Sequence, residues 1–378
     1  MDTKIGILLP KSDMFPTLAR DFLNGFNLSF KASGMAHNIP KLIVDGIGNA
    51  AGDIPLRSAE KMILQENVDL TLAFCGFSKL EELSTFFDSY KKPLIHLDLG
   101  GNVLKQVHKS PYILHHSLNL CNSAYAAGKY AADQFGKKGA LTASFYDGGY
   151  HLSFSFVKGY TDNGGEIIYN YVGPMDYKTE DFTSMIRGLE ENQPDVVFTL
   201  FSYKEGAKVC KILADASMTG MQFVSIPLMT DEYYNLENYG LENIISVASW
   251  SFDDEYSEMQ HFLGIYRKLY AESPNIFGLI GYEVGMLIIK CLQDKQKIPA
   301  DIGAYFKNLS INTPRGVLAF TDYFESHIPI LKVRRFQYNQ TGYHNTVIDR
   351  IEADDLEQLY QALEELPYSG WLNPYICT

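Results

Sequence analysis

Apolar runs and amphipathic stretches alternate through the first third of the chain. Lys4–Leu9 is a short apolar run ending at Pro10. From Pro16 to Ala32, the residues Leu18, Phe22, Leu23, Phe26 and Phe30 recur near the period of one helix face. A strand is predicted at Lys41–Val44, a helix at Leu56–Gln65, a strand at Leu70–Phe74, a helix at Leu80–Ser89 and a strand at Leu94–Leu97. Continuous apolar strands separated by amphipathic helices predict a mostly parallel sheet covered on both faces.

The rhythm then restarts. A helix at Ser123–Phe135 leads to a strand at Ala140–Phe145, followed by helix Ser153–Asn163, strand Glu166–Tyr171 and helix Asp181–Glu190. Strand Val196–Leu200, helix Lys204–Ala216 and strand Gln222–Ile226 complete a second unit of similar size. Beyond it the pattern predicts a strand at Ile244–Ser249, helices at Glu255–Ala271 and Gly278–Leu292, and antiparallel strands at Val317–Thr321 and Ile330–Gln337. An acidic helix is expected from Glu352 to Leu366. With no Pro/Gly/Ser linker between the halves, the two α/β units are expected to join by short strand-to-strand crossings, leaving a cleft as the default ligand site.

A chain of 378 residues suits two domains, and 46% hydrophobic with 20% charged residues is a core-forming composition. Lys and Arg total 32 against 45 Asp and Glu, a formal net charge of −13, which argues against broad nucleic-acid or anionic-membrane binding. No run of about 18 uninterrupted apolar residues is present. Phe277 to Ile289 comes nearest, is broken by Glu283 and reads as a buried helix. The start at Met1 shows no basic segment followed by a long apolar one, which leaves a cytosolic chain or one whose export signal has been removed. The cysteines, Cys75, Cys121, Cys210, Cys291 and Cys377, are too far apart for a CxxC pair, and isolated cysteines act as small buried hydrophobes.

Gly46-Ile47-Gly48-Asn49-Ala50-Ala51 matches a loose GxGxxA pattern, but Gly52-Asp53-Ile54-Pro55 delays the helix whose N-terminus would meet a pyrophosphate, and a turn is expected instead. Side chains of His115 and His116 would diverge on a strand, and the other histidines have no ligand spacing. The acidic groups Asp253-Asp254-Glu255 and Asp354-Asp355 are expected as helix caps. Neither an acid–base pair nor a cofactor loop emerges, so an enzyme on this fold is the weakest reading. The chemistry gathers at the strand C-terminal ends, where open α/β sheets bind ligands. These ends carry Ser12 after the first strand, Cys75-Gly76-Phe77-Ser78 after the third, and Asp98-Leu99-Gly100-Gly101 after the fourth. In the second unit they carry Asp147 and Tyr150, Ser202-Tyr203, and Pro227-Leu228-Met229.

With these details, the order of elements resembles the type I periplasmic binding proteins, especially the branched-chain amino acid and amide/urea-binding group. The likeness covers roughly residues 3 to 350. Its carriers are Ile5-Gly6-Ile7-Leu8-Leu9-Pro10, the turn Cys75-Gly76-Phe77-Ser78, Tyr150 before a helix beginning near Leu152, and Asp176 to Phe182. Gly281-Tyr282-Glu283 and Thr313-Pro314-Arg315-Gly316 complete the set.

The resemblance implies two doubly wound parallel-sheet lobes joined by three crossings and closing like a hinge on a small polar solute, amino acid or amide-like. Lobe one would be 1–119 plus 250–328, lobe two 120–249 plus 329–350, and 351–378 an extension, with Trp371, Pro374 and Tyr375, packing on a lobe. Ser78, the amides of Cys75, Gly76 and Phe77, and Asp98, Leu99, Gly100 and Gly101 would hold the ligand's polar end, with Ser12 nearby. Tyr150 would stack on the ligand and Tyr203 would supply a second aromatic. Amino-acid-binding members place an acid at the position of Leu228, where it meets the ligand ammonium; Asp98, Asp147 and Asp231 are the available substitutes. The implied role is a monomeric, cofactor-free solute-binding protein of the periplasm or cell envelope, partnered by an ABC transporter permease. The alternative is a cytosolic sensor of the same fold.

Overall fold

The computed structural model describes residues 3–77, 79–176, 178–216, 218, 220–232, 242–339, 342–353 and 356–368, with Tyr203 described in its backbone only. Two sheets organise it. The first contains β1 (Lys4–Leu9), β2 (Lys41–Gly46), β3 (Leu70–Phe74), β4 (Leu94–Leu97) and β5 (Ile113–His116), all parallel, in the order β2-β1-β3-β4-β5. Helices α1 (Leu18–Ala32), α2 (Ile54–Leu64) and α3 (Leu80–Tyr90) connect them. β1 and β3 are almost wholly buried, as strands covered on both faces must be. The periodic positions Phe22, Phe26 and Phe30 of α1 are fully buried, each contributing about 1.5–3 kcal/mol.

The chain then crosses through Ser117–Asn119 into α4 (Leu120–Gln134) and the second sheet. That sheet holds β6 (Lys138–Ala143), β7 (Glu166–Val172), β8 (Val196–Leu200), β9 (Gln222–Ser225) and β10 (Ile244–Ala248), all parallel. α5 (Leu152–Asp162), α6 (Thr183–Asn192) and α7 (Tyr203–Asp215) connect them. After β10 a second crossing leads to α8 (Ser257–Tyr270), α9 (Ile276–Lys295) and α10 (Ile302–Phe306) on the first lobe. A small antiparallel sheet follows, of β11 (Ile311–Thr313), β12 (Gly316–Phe320) and β13 (Ser326–His327). A third crossing returns the chain to β14 (Ile330–Asn339) and β15 (Gly342–Glu352), which extend the second sheet antiparallel to give β15-β14-β10-β9-β8-β6-β7. α11 (Leu356–Leu363) follows.

α9 is long and apolar enough to cross a membrane by composition, yet 78% of its most apolar window is buried inside the protein. It packs along α1 so closely that a Cβ on Gly281 would lie 2.0 Å from the carbonyl oxygen of Phe22, which only glycine permits. The sequence pattern missed β5 and β15. Strand β5 is short and carries two histidines, and β15 is a polar edge strand with mixed burial. The acidic groups are also corrected: α8 begins after Tyr256, so Asp253-Asp254-Glu255 precede its cap. Asp254 instead accepts hydrogen bonds from Tyr256 N at 3.2 Å and from Arg350 Nη2 at 2.7 Å. Asp354 and Asp355 lie outside the described residues. Helix α2 opens at Ile54, well past Gly48, so no helix N-terminus meets the GxGxxA segment.

Candidate functional site: an interlobe cleft and its hinge

In a parallel sheet, every strand delivers the loop that follows it to the same edge. In lobe one β1, β3 and β4 are neighbours, so Ser12, the Cys75–Phe77 turn and Asp98 to Gly101 share that edge. In lobe two β6, β8 and β9 deliver Asp147 and Tyr150, Ser202 and Tyr203, and Leu228. The two groups of loops touch: His151 N donates to Gly101 O at 3.1 Å, and Val103 N donates to His151 Nδ1 at 3.4 Å.

On the lobe-one side, Ser12 Oγ accepts from Phe15 N at 3.0 Å, which ties it to its own turn. The Cys75 thiol is buried and pushed up to about 12 by burial and then by the charge of Asp98. Gly76 has φ +63, a left-handed turn that favours glycine. Phe77 is buried against the His96, His108 and Tyr368 rings. Ser78 lies outside the described residues. Asp98 Oδ1 accepts from Gly100 N at 2.5 Å, while its buried Oδ2 has no hydrogen-bond partner. Burial raises Asp98 to about 7. Leu99 is fully buried, and its carbonyl accepts from Leu120 N at 3.4 Å. At Gly100, φ +83 and a space where a Cβ would sit 2.7 Å from Asn119 N admit glycine alone.

On the lobe-two side, Tyr150 and Leu228 are buried, and the Tyr203 side chain lies outside the described residues. Asp147 accepts from Ser202 N at 2.7 Å and from Ser202 Oγ at 3.2 Å, which joins the loops after β6 and β8. Burial raises Asp147 to about 6. Burial and then the charge of Asp147 raise Glu205 to about 7, and its Oε1 has no partner. Of the substitutes for an acid at Leu228, Asp98 and Asp147 lie on the facing loops and Asp231 is buried just beyond β9. Among the described residues, no three His, Cys, Asp or Glu converge as a metal site.

Behind the cleft the crossings are bolted by polar groups. Arg315 and Glu283 are fully buried and paired at 2.7 Å, with Arg315 Nε also donating to Glu283 at 2.9 Å. Arg315 Nη1 donates to Ser117 O at 3.1 Å and Ser249 Oγ at 2.9 Å, thereby holding the first and second crossings. Ser249 Oγ in turn donates to Leu118 O at 2.7 Å. His116 lies 3.3 Å from Glu283 through Nε2, and its Nδ1 meets Ser326 Oγ at 2.8 Å at the third crossing. Burial pushes Glu283 up, but the charge and hydrogen bonds of Arg315 and His116 together outweigh it and hold Glu283 down to about 2. Glu325 is also buried; it accepts from Ser117 Oγ at 3.1 Å and from Tyr360 Oη, and burial raises it to about 7.

Sequence reasoning did not foresee His151, Glu205, Glu325 or Tyr368 at the site. Glu205 falls in the first turn of α7, beside the anticipated Tyr203, so its position was available in the pattern. His151 directly follows the anticipated Tyr150, whereas Glu325 and Tyr368 are joined to the site by long-range contacts.

A family profile described as "Periplasmic binding protein" matches residues 2–343. "Leu/Ile/Val-binding protein homolog 6" of Brucella abortus (strain 2308) is 21% identical over 202 residues, 52% of this chain and 50% of the relative. The chain thus spans about half the length of the curated relatives it matches. A solute-binding protein of an ABC transporter from Rhodopseudomonas palustris BisB5, solved with 3,4-dihydroxybenzoic acid, superposes with a TM-score of 0.75 at 19% identity, covering 93% of this chain and 97% of that one. A leucine-, isoleucine-, valine-, threonine- and alanine-binding protein from Brucella ovis in a closed conformation gives 0.74 at 15% identity, covering 94% and 96%. The similar solved structures bind different small molecules, so the likeness establishes the fold and leaves the ligand class open. With two parallel-sheet lobes, three crossings and a profile match over most of its length, the chain belongs to the periplasmic binding protein family, in its type I, branched-chain amino acid-binding group.

Proposed function

We propose that the protein captures a small polar solute, amino acid or amide-like, between its two lobes and presents it to the permease of an ABC importer. The observation that carries this reading is the meeting of the strand-end loops of both lobes, sealed by the His151 to Gly101 hydrogen bond. Backbone groups of the two strand-end turns, at Gly76 and at Gly100–Gly101, are suited to a polar ligand end, and Tyr150 to its apolar body. The missing acid at Leu228 shifts recognition of any ligand ammonium to Asp147, Glu205 or Asp98, which a nearby cation would return to the ionised form. The proposed lobes are 1–119 plus 250–328 and 120–249 plus 329–350, the chain acts as a monomer, and its working compartment is the periplasm or cell envelope. No catalytic step is assigned to it.

A second reading, an aromatic carboxylate as the solute, is favoured by Leu228 and by the rings of Phe77, Tyr150 and His151 around the cleft. Native mass spectrometry of the purified protein tests both readings through the mass of a retained solute. Calorimetric titration with leucine, acetamide and 4-hydroxybenzoate then ranks them. If no retained solute is found and none of the three compounds produces heat or a thermal shift, the solute-capture reading fails.

A further inference from the structure

The C-terminal segment lies across both lobes rather than on one. Helix α11 packs against α4 and α5 of lobe two. From the same segment, Tyr360 donates to Glu325 beside the third crossing, and its ring meets Tyr323 of lobe one. Glu364 accepts from Gln106 N at 3.2 Å, and Leu366 O accepts from Lys105 Nζ at 2.5 Å, both in the loop between β4 and β5. Pro367 O meets His151 Nε2 of lobe two at 3.2 Å. Tyr368 then enters between the lobes. Its ring stacks on His151 at 5.3 Å and on His108 at 5.8 Å, and lies 5.1 Å from Phe77. Its hydroxyl donates to Val103 O at 2.9 Å.

We propose that residues 356–368 form an interlobe strap whose latch is Tyr368, holding the lobes together without ligand and occupying the flank of the cleft beside Phe77, so that solute entry requires the latch to lift. The geometry has the two properties a strap needs. It contacts groups on either side of the moving boundary, His151 on one lobe and His108, Val103 and Phe77 on the other. Tyr368 is held by ring contacts, by Lys105 Nζ at 4.8 Å from its ring and by its hydroxyl on Val103 O and His108 Nδ1, an attachment that changing one side chain removes. A tail serving only to cover one lobe would have no reason to set a half-buried tyrosine between both.

The strap can be tested without any solute, so a failure of the solute-capture reading leaves the result interpretable. Spin labels are placed at Gln65→Cys on lobe one and Glu191→Cys on lobe two, both exposed, in a Cys377→Ser background; the cysteines at 75, 121, 210 and 291 are buried. Pulsed electron–electron distances are then measured on dialysed protein. Tyr368→Ala is expected to add a population several ångströms longer, Tyr368→Phe to retain most of the short distance, and truncation after Ala353 to match or exceed the alanine variant. Circular dichroism melts confirm that each variant is folded. Should truncation unfold the protein, Tyr368→Ala alone decides. A distance distribution in folded Tyr368→Ala indistinguishable from that of the parent overturns the proposal.

Discussion

Two glutamates beside the lobe crossings are both buried and behave in opposite ways. Glu283 faces Arg315 and His116 and is held down to about 2, whereas Glu325 accepts from the neutral Ser117, Asn119 and Tyr360 and is raised to about 7. Desolvation acts on both; the nature of the partner decides ionisation. The first is a fixed bolt, because a charge that deep cannot lose its counter-ion without leaving an unpaired ion in an apolar interior. The second is a titrating group that keeps its place through hydrogen bonds available to both protonation states.

The largest effect is expected from breaking the bolt. Arg315→Ala should cost about 3–5 kcal/mol in urea unfolding, since it strands Glu283. The double variant Arg315→Met with Glu283→Leu should recover much of that loss, and a double variant as unstable as the single one would show that the charges, not their pairing, hold the crossings.

Glu325→Gln probes the other side of the comparison. With a folded value raised above the unfolded one, Glu325 keeps its proton where the unfolded chain has lost it. Its contribution is therefore fully present below pH ~4.5 and lost as pH rises through ~7, amounting to up to ~3 kcal/mol. Unfolding measured from pH 4.5 to 8 should show the parent losing stability relative to Glu325→Gln across that window. Parallel curves would mean that Glu325 is ionised when folded.

Tyr150→Ala should weaken binding of an identified solute by about 1–3 kcal/mol through lost stacking area, read by calorimetry. An unchanged affinity would move the lobe-two wall away from Tyr150. At the small end stands a half-exposed pair: Arg20, its own side chain about half in solvent, meets the buried Asp21 at 2.9 Å, and Asp21 keeps hydrogen bonds from Thr17 and Asn275 without it. Arg20→Ala should cost less than about 1 kcal/mol in the same urea assay, because water screens what burial intensifies at Arg315.

Much of the fold was legible because burial on both strand faces and helix periodicity are local signals. Strands β1, β3 and β4 and helix α1 follow directly from positions such as Ile5, Leu72 and Phe26. The strand-end loops were legible for the same reason, since a parallel sheet assigns their edge once its strands are known. What escaped depends on contacts between distant parts of the chain. Glu283 and Arg315 stood in separate short motifs with nothing local to show that they pair, and Tyr368 reaches His108 across 260 residues. Polar edge strands such as β15 escaped too, because Asp349 and Arg350 dilute the alternation that marks a half-buried strand.

The interleaving of the lobes sets a timetable for the chain as it emerges from the ribosome. α1 lacks its partner α9 until Lys295 has been made, and the second sheet lacks β14 and β15 until Glu352. Neither lobe can therefore finish folding until segments made after β10 have emerged. Long-range closure of this kind slows folding. In a chain built this way, no single cut can release either lobe whole.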